Sequence, residues 1–315
     1  MNTIIHKLSQ RKEIQEKPPV LIDIGASKEL NPIWKNIASF CIGIAFDADD
    51  RDFNFIEKDS ADFKKLYVYN CIASNANHKS KQTFFLTKSP YCSSTLHPDN
   101  TRLQDFSFAP LFDVEKEIQL NTVTLEGILT ELNLSYVDWF KADTQGTDLR
   151  LFQNLPEKVQ KNVVMAEFEP GIIDAYQGED KMIDVFQYMR TMPFKLADIT
   201  VKGAMQLPYE NFKQLFPSKF LQKVANHTLK TTPGWSEMVF INSLEQADLR
   251  GHLLAWLYSS IQSNHSLAFS IAQKGYQKFN DVLLKEMMEH SSAQLRSDLF
   301  SLNTFFKLVK IALSR

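Results

Sequence analysis

The sequence lacks several features that would assign it to a common class of protein. Its 35 Lys and Arg residues are balanced by 37 Asp and Glu residues, so it has no basic excess of the kind that binds nucleic acid. It contains no run of about 18 apolar residues, so we expect no membrane-spanning helix. Residues 1–17 hold no apolar stretch long enough for a signal peptide, and we therefore expect a cytoplasmic protein.

Cysteine is scarce as well. Cys41, Cys71 and Cys92 are odd in number and do not have the spacing of metal ligands. They lie in or near runs of residues that resemble strands. This pattern predicts buried free thiols in a reducing compartment rather than disulfides or a zinc site.

Glycine is missing where a dinucleotide-binding loop would need it. The apolar run VLIDIG ends at Gly25, and the residues that follow supply neither of the further glycines of a G-x-G-x-x-G loop. The Asp23 carboxylate directly before the turn would also repel a pyrophosphate. These two features disfavour a nicotinamide-dependent oxidoreductase. They suit a cationic ligand instead, such as the amino group or sulfonium of S-adenosylmethionine.

Short apolar runs alternate with segments of helical periodicity through residue 242, which predicts a mostly parallel sheet with helices on both faces. From residue 244 onward the sequence has no strand pattern and predicts three or four helices. We therefore expect an N-terminal extension over 1–17, an α/β domain over 18–243 and a C-terminal all-helical module over 244–315. The predicted strands cover 20–25, 41–49, 66–74, 81–87, 118–124, 136–143, 162–169, 194–202 and 236–243, and the clearest helices cover 124–132 and 180–190.

Acidic residues follow the predicted strands, and ligands of parallel sheets bind beyond the carboxyl ends of strands. Asp47 ends the second strand, 24 residues after Asp23, and can accept hydrogen bonds from both hydroxyls of a ribose. Asp143 ends the fourth strand of the parallel sheet. Glu167 and Glu169 alternate at the end of the fifth and so point to one side. These three acids could form a Mg²⁺ site, or one of them could take a proton from a substrate hydroxyl.

These residues carry a resemblance to the FkbM family of S-adenosylmethionine-dependent methyltransferases. LIDIGAS resembles the family's D-x-G-A-N opening, with Ser27 in the place of Asn, and AFDAD resembles its A-F-E-P. VTLEGILTELNLSYVDWFKADTQGTDLRLF resembles the block V-T-L-D-x-x-L … D-F-L-K-I-D-x-[EQ]-G-x-E-L-x-V-L, and CSSTL resembles a serine-rich segment ahead of it. The resemblance covers roughly residues 18–242. The loop after Gly25 departs from it, because Lys28 or Glu29 stands where the family has a later glycine.

The resemblance implies the class I methyltransferase fold, which is Rossmann-like, and methyl transfer to hydroxyls of sugars or related natural products. It implies that Asp23, Gly25 and Asp47 bind the methyl donor and that Asp143 lies at the reacting end. The full set predicted to bind the donor is Asp23, Gly25, Ala26, Ser27, Asp47 and Asn70. The predicted catalytic residues are Asp143, Glu167 and Glu169.

The acceptor is expected to contact the long segment 88–110, which contains three prolines, and the acidic segment 170–180. His78 and His97 are further candidates for the base, although most loop histidines have no such role. The residues predicted to touch the acceptor are Ser93, Ser94, His97, Gln145 and Asp174.

The end of the sequence carries an apolar helical stripe formed by Leu299, Leu302, Phe306, Val309 and Leu313. This stripe could pack against other helices or against a second copy of the chain. With its Lys and Arg residues, the segment 296–315 could instead lie on the anionic inner face of a membrane. An alternative to an enzyme is thus a non-catalytic protein that kept the fold and acts through its helical tail.

Overall fold

A computed structural model describes residues 1–26, 30–49, 51, 62–75 and 80–300. The chain divides into two compact units. One contains Met1–Pro18, Ile33–Phe40 and the described residues from Leu244 onward, and the other contains Pro19–Pro32 and Cys41–Ser243. The domain boundaries expected after residues 17 and 243 stay a prediction.

The described strands and helices are numbered in chain order. The strands are β1 (Val20–Ile24), β2 (Ile42–Phe46), β3 (Lys65–Tyr69), β4 (Ile72–Ala73), β5 (Lys81–Thr87), β6 (Val114–Val123), β7 (Trp139–Ala142), β8 (Met165–Phe168), β9 (Phe194–Ala204) and β10 (Thr232–Asn242). The helices are α1 (Asn2–Ser9), α2 (Lys12–Gln15), α3 (Asn100–Leu103), α4 (Leu125–Glu131), α5 (Asp148–Gln153), α6 (Glu157–Asn162), α7 (Met182–Met189), α8 (Tyr209–Leu215), α9 (Lys219–Thr228), α10 (Leu249–Ile261), α11 (His265–Phe279) and α12 (Val282–Leu299).

Within the described residues, seven strands form the main sheet in the order β3-β2-β1-β7-β8-β10-β9. The first five run parallel, while β10 is antiparallel to both β8 and β9. The central strands are buried because their side chains are apolar on both faces, and Phe140, Phe152 and Phe168 pack together in the core. The mostly parallel sheet predicted from the sequence is confirmed.

Three of the described strands form a second sheet, and the sequence pattern did not show which strands they pair with. It has the order β4-β6-β5, with β5 and β6 antiparallel. The segment 66–74, predicted as one strand, is divided between the two sheets, as β3 and β4. The long segment 88–110 includes α3 and a 3₁₀ turn, Pro90–Cys92, and a second 3₁₀ turn, Ala109–Phe112, begins at its end. Cys92 and Leu103 from this segment pack with Phe112 and Tyr176.

The local structure after Gly25 and in the segment between β9 and β10 was not predicted. A 3₁₀ turn, Pro32–Asn36, follows the loop at Gly25. Helices α8 and α9 were not predicted. Each begins beside a residue that suits a helix start, Pro208 in one case and Ser218 in the other, whose hydroxyl accepts the amide of Leu221 at 3.2 Å.

The other unit is helical, as predicted for the C-terminal part of the chain. Helix α10 is buried on every side, and α11 and α12 pack beside it. Helix α1 joins them through an ion pair between Lys7 and Glu286, and Arg11 pairs with Asp281 at 2.9 Å. In the part of the chain that the structure describes, no helix combines the length and the apolar character needed to cross a membrane. Most of the predicted apolar stripe, from Leu302 on, lies outside the described residues.

Candidate active site

A cleft lies beyond the carboxyl ends of β1, β2 and β7, the edge at which the sequence predicts a ligand. Its volume is about 740 Å³, including the part open to solvent, which falls in the usual range of small-molecule sites. One wall is apolar and the other carries carboxylate, amide and hydroxyl groups. The predicted site residues that line it are Gly25, Asp47, Ser93, Asp143 and Gln145.

Position 25 needs a glycine because the backbone at Asp143 comes very close to it. Its φ is +85°, which favours glycine, and a Cβ atom placed on it would lie 2.0 Å from the carbonyl oxygen of Asp143. The Gly25 amide donates to the carbonyl of Phe46 at 2.9 Å. The single glycine of the loop therefore serves the contact between the turns that follow β1 and β7, without any need for a pyrophosphate cradle.

Asp23 is fully buried, and both of its carboxylate oxygens are engaged within the protein. Lys141 Nζ donates to Oδ1 at 2.7 Å, and the amide of Asn31 donates to Oδ2 at 2.9 Å. Burial lowers the pKa of Lys141, but the carboxylates of Asp23 and its neighbours outweigh this effect and raise it above the usual value. The sequence predicted that a cationic group of the methyl donor would pair with Asp23, but in the structure the cation beside Asp23 is Lys141.

Asp47 lines the cleft directly after β2. Its Oδ1 accepts the amide of Asp49 at 2.9 Å, and its backbone carbonyl accepts a hydrogen bond from Asn70 Nδ2 at 3.0 Å. Asn70 therefore supports the turn that carries Asp47. Ala26 is buried, and its amide donates to Phe46 as the Gly25 amide does. Ser27, predicted to bind the donor, lies outside the described residues.

Three carboxyl groups, those of Asp143, Asp148 and Glu169, form a cluster beyond the ends of β7 and β8, in which Asp148 is buried and the other two are partly buried. Burial and the neighbouring charge of Asp143 raise the pKa of Glu169 to about 9, so Glu169 carries a proton at neutral pH and hydrogen-bonds to Asp143. Burial also raises the pKa of Asp143. Lys141 and the hydrogen bonds from Gln145 and Glu169 oppose this and favour its ionised form.

Asp148 lies behind this pair and orders the loop. Its Oδ1 accepts the amide of Thr144 at 2.9 Å, and its Oδ2 accepts the amide of Glu169 at 2.7 Å. Burial, together with the charge of Asp143, raises the pKa of Asp148 to about 7. Asp148 therefore joins the loop after β7 to the loop after β8 and fixes the distance between the two.

Glu167 does not join this cluster, although the alternation of the strand predicted that it would. Its Oε1 accepts a hydrogen bond from Trp139 Nε1 at 2.7 Å. No group of three or more His, Cys, Asp and Glu residues in the described parts of the chain could hold a metal ion. Asp143, Glu167 and Glu169 therefore do not come together as the Mg²⁺ site that the sequence predicted.

Gln145 holds Asp143 from the cleft side. Its Nε2 donates to Asp143 Oδ1 at 2.7 Å, and its Oε1 lies 3.1 Å from the Tyr176 hydroxyl, which also donates to the Cys92 carbonyl at 2.8 Å. The φ of Gln145 is +58°, a left-handed conformation that is uncommon for a residue with a side chain. The loop thus keeps a strained conformation that presents the amide to Asp143.

The two predicted serines support the cleft in different ways. Ser93 lines it, and its hydroxyl accepts hydrogen bonds from the amide of Thr87 at 3.1 Å and from Arg51 at 2.9 Å. Ser94 is fully buried and donates to the carbonyl of Gln145 at 2.8 Å. Ser94 therefore positions the loop that follows β7.

His97 and Asp174 are not among the described residues that line the cleft. The Nδ1 atom of His97 lies 2.8 Å from the carbonyl oxygen of Pro98, and its ring meets Phe85 edge to face. Asp174 is exposed and pairs with Lys181 at 3.1 Å. His78 lies outside the described residues.

The acidic segment 170–180 largely serves the architecture of the loop. Glu179 is buried, accepts the amide of Ala175 at 2.7 Å and pairs with Lys181. Asp180 pairs with Arg150 at 2.8 Å. Lys141, Asp148 and Tyr176 were not predicted as residues of the site. For Lys141 a signal existed, because a lysine inside an apolar strand requires a buried partner.

The raised pKa of Glu169 predicts a pH-dependent stability. Between its ordinary value of 4.5 and about 9 the folded protein holds a proton that the unfolded chain releases, so this group's contribution to stability decreases as pH rises. Asp148 acts in the same direction up to about pH 7. We expect the Glu169→Gln variant to lose less stability than the wild type between pH 7 and about 9 in urea unfolding. The exposed Glu115→Gln should follow the wild type, and parallel curves for Glu169→Gln and wild type would contradict the assignment.

The mostly parallel sheet with a cleft at its carboxyl edge is the architecture of Rossmann-like proteins, which bind nucleotide-type cofactors at this edge. The sequence of the chain matches the methyltransferase FkbM domain over residues 23–196, which is more than half of the chain. The chain therefore belongs to the FkbM methyltransferases, a family that uses S-adenosylmethionine, and the resemblance seen in the motifs is confirmed. A comparison with curated proteins gave no match.

Proposed function

We propose that the protein transfers the methyl group of S-adenosylmethionine to a hydroxyl of a sugar, a glycan or a related natural product. The observation that carries this proposal is the position of Asp143 on the cleft wall, where Gln145 donates to its carboxylate at 2.7 Å. Burial raises the pKa of Asp143, which makes its carboxylate a stronger base and suits the removal of a hydroxyl proton.

The residues of the cleft suit the donor. The Asp47 carboxylate can accept the two ribose hydroxyls, and Phe46, Ile72 and Phe84 supply an apolar surface for the adenine. When bound, the donor supplies an electrophilic methyl group on a positively charged sulfur. The nearby carboxylate of Asp143 would favour that charge.

Asp143 would act on the acceptor side. It takes the proton of the acceptor hydroxyl while the oxygen forms a bond to the methyl carbon, and the carbon–sulfur bond breaks with its electron pair remaining on sulfur. Gln145 holds the carboxylate in orientation through the 2.7 Å hydrogen bond. Glu169 keeps its own proton and therefore adds no negative charge to the cluster that it forms with Asp143 and Asp148.

A polyhydroxy acceptor suits the remaining lining. Ser93, Thr95 and Thr147 offer hydroxyl groups, and Tyr91 presents an exposed aromatic face at the cleft. Aromatic faces beside hydroxyl and amide groups match a sugar, which has an apolar ring face and a polar edge.

Labelled S-adenosylmethionine and a panel of glycosides, amines and thiols would test the proposal. We expect the label to move to glycoside hydroxyls and not to amines or thiols. Transfer confined to nitrogen or sulfur would overturn the assignment of the acceptor. Donor binding without turnover on any acceptor would instead favour the non-catalytic alternative, in which the helical tail carries the function.

A further inference from the structure

Helices α8 and α9 form a helical hairpin that leaves the sheet between β9 and β10. Residues Ala204 and Thr232 pair at its base, where a Cβ on Gly203 would lie 2.1 Å from the Thr232 carbonyl oxygen. Strand β9 runs in the same direction as β8, because β10 is antiparallel to both. The hairpin therefore projects from the carboxyl edge of the sheet, the edge that also carries the cleft.

The hairpin buries only a small apolar core of its own. Met205, Phe212 and Ala225 form this core. A larger apolar set stays exposed, and Phe220 alone is 73% exposed. The other exposed apolar residues of the hairpin are Leu215 (64%), Leu229 (48%), Leu221 (44%) and Val224 (40%). Several large apolar side chains exposed within one short segment indicate an interaction site rather than the scattered apolar residues of an ordinary surface.

The charge of the hairpin surface is almost entirely positive. Its exposed lysines are Lys213, Lys219, Lys223 and Lys230. Glu210 is the one acidic residue of the segment 205–230 and lies 3.8 Å from Lys213. Three lysines therefore remain beside the exposed apolar side chains with no acidic residue in the segment to neutralise them.

Helix α9 arranges these two features on adjoining faces. At 3.6 residues per turn, Phe220, Leu221 and Val224 fall within an arc of about 100°. Around the helix axis, the buried Ala225 lies on one side of this arc. Lys219 and Lys223 lie on the other side, next to Phe220. An apolar stripe between the protein and a row of lysines is the pattern of a helix that lies in a lipid interface.

We propose that the α8–α9 hairpin docks the protein on an anionic lipid surface. The exposed apolar side chains enter the boundary between headgroups and acyl chains, and the lysines contact the anionic headgroups. Because hairpin and cleft share the carboxyl edge of the sheet, docking would bring the cleft to the surface and give it acceptors that are held there by a lipid. The docking itself does not depend on the proposed methyl transfer. It also differs from the membrane contact predicted for 296–315.

Vesicle flotation with the full chain tests this inference. We expect the protein to float with vesicles of phosphatidylglycerol and phosphatidylcholine, and not with phosphatidylcholine alone. Replacing Phe220, Leu221 and Val224 by Ser should lower the bound fraction about tenfold or more. Changing Lys219 and Lys223 to Gln should lower the affinity roughly fivefold for each lysine. These side chains are exposed, so the variants should keep the wild-type melting temperature.

Matched controls separate the hairpin from other apolar surfaces. The variant with both Ile183→Ser and Val282→Ser removes side chains that are 57% and 70% exposed elsewhere, and it should float like the wild type. The inference is overturned if the triple Ser variant floats like the wild type, if flotation is lost only on changing Phe306 and Val309, or if the wild type does not float. Self-association that the triple variant abolishes, without flotation, would assign the surface to a second copy instead. Because flotation is measured without a methyl donor, its outcome is independent of any turnover result.

Discussion

Replacing Asp143 by Asn should lower the rate of methyl transfer by roughly 10²- to 10⁴-fold, the usual contribution of a general base. Asn has the same shape and can still accept the hydrogen bond from Gln145, which is 2.7 Å long in the wild type. It cannot take the proton of the acceptor hydroxyl. Because the substitution leaves Asp47 and the apolar wall of the cleft unchanged, S-adenosylhomocysteine should bind with nearly wild-type affinity.

Single-turnover rates with saturating donor would measure this effect apart from donor binding. The Asp105→Asn variant is a matched control, because Asp105 is exposed and lies outside the cleft lining. It should keep the wild-type rate. A wild-type rate in Asp143→Asn, with a wild-type melting temperature, would show that another group takes the proton.

Replacing Asp47 by Ala should weaken donor binding by roughly 10²- to 10⁴-fold, because two hydrogen bonds to the ribose are lost. A carboxylate that accepts hydroxyl groups makes charge-assisted hydrogen bonds, each worth about 1.5–3 kcal/mol. The apolar wall of the cleft would remain and would keep part of the affinity for the adenine. Calorimetric titration with S-adenosylhomocysteine measures the change directly.

The same substitution removes the 2.9 Å hydrogen bond from the amide of Asp49, so its effect on the fold has to be measured as well. Asp47→Asn retains an acceptor for that amide and lacks the charge, and we expect an affinity between those of the wild type and the Ala variant. Asp105→Ala should bind like the wild type. Equal affinity of the wild type and Asp47→Ala would mean that the ribose does not lie on Asp47.

Much of the fold follows from the order of strands and helices in the sequence. Near-continuous apolar runs such as 20–24 and 139–142 can be buried only in a covered parallel sheet, so the sheet was predictable. The separation of β5 and β6 into a second sheet was not, because their alternating pattern does not specify a partner. The α8–α9 hairpin was missed although Phe220, Leu221 and Val224 give α9 an apolar stripe of helical period. That this stripe is exposed to solvent could not be predicted from the sequence.

The candidate site was predictable at the level of strand ends and not at the level of individual contacts. The positions of Asp47 and Asp143 on the cleft follow from their places at the ends of parallel strands. Glu167 is held away from Glu169 by its hydrogen bond from Trp139 on the neighbouring strand. Trp139 pairs with Met165, two residues before Glu167, and only the register between β7 and β8 brings the two side chains together. The pairing of Asp23 with Lys141 depends on the same kind of register, between β1 and β7.

A crystal structure of the complex with S-adenosylhomocysteine would test the central claim most directly, namely that the cleft between Asp47 and Asp143 holds the methyl donor. We predict that both ribose hydroxyls lie within hydrogen-bonding distance of the Asp47 carboxylate and that the sulfur atom faces Asp143. A nucleoside bound elsewhere, or a sulfur atom directed away from Asp143, would contradict it.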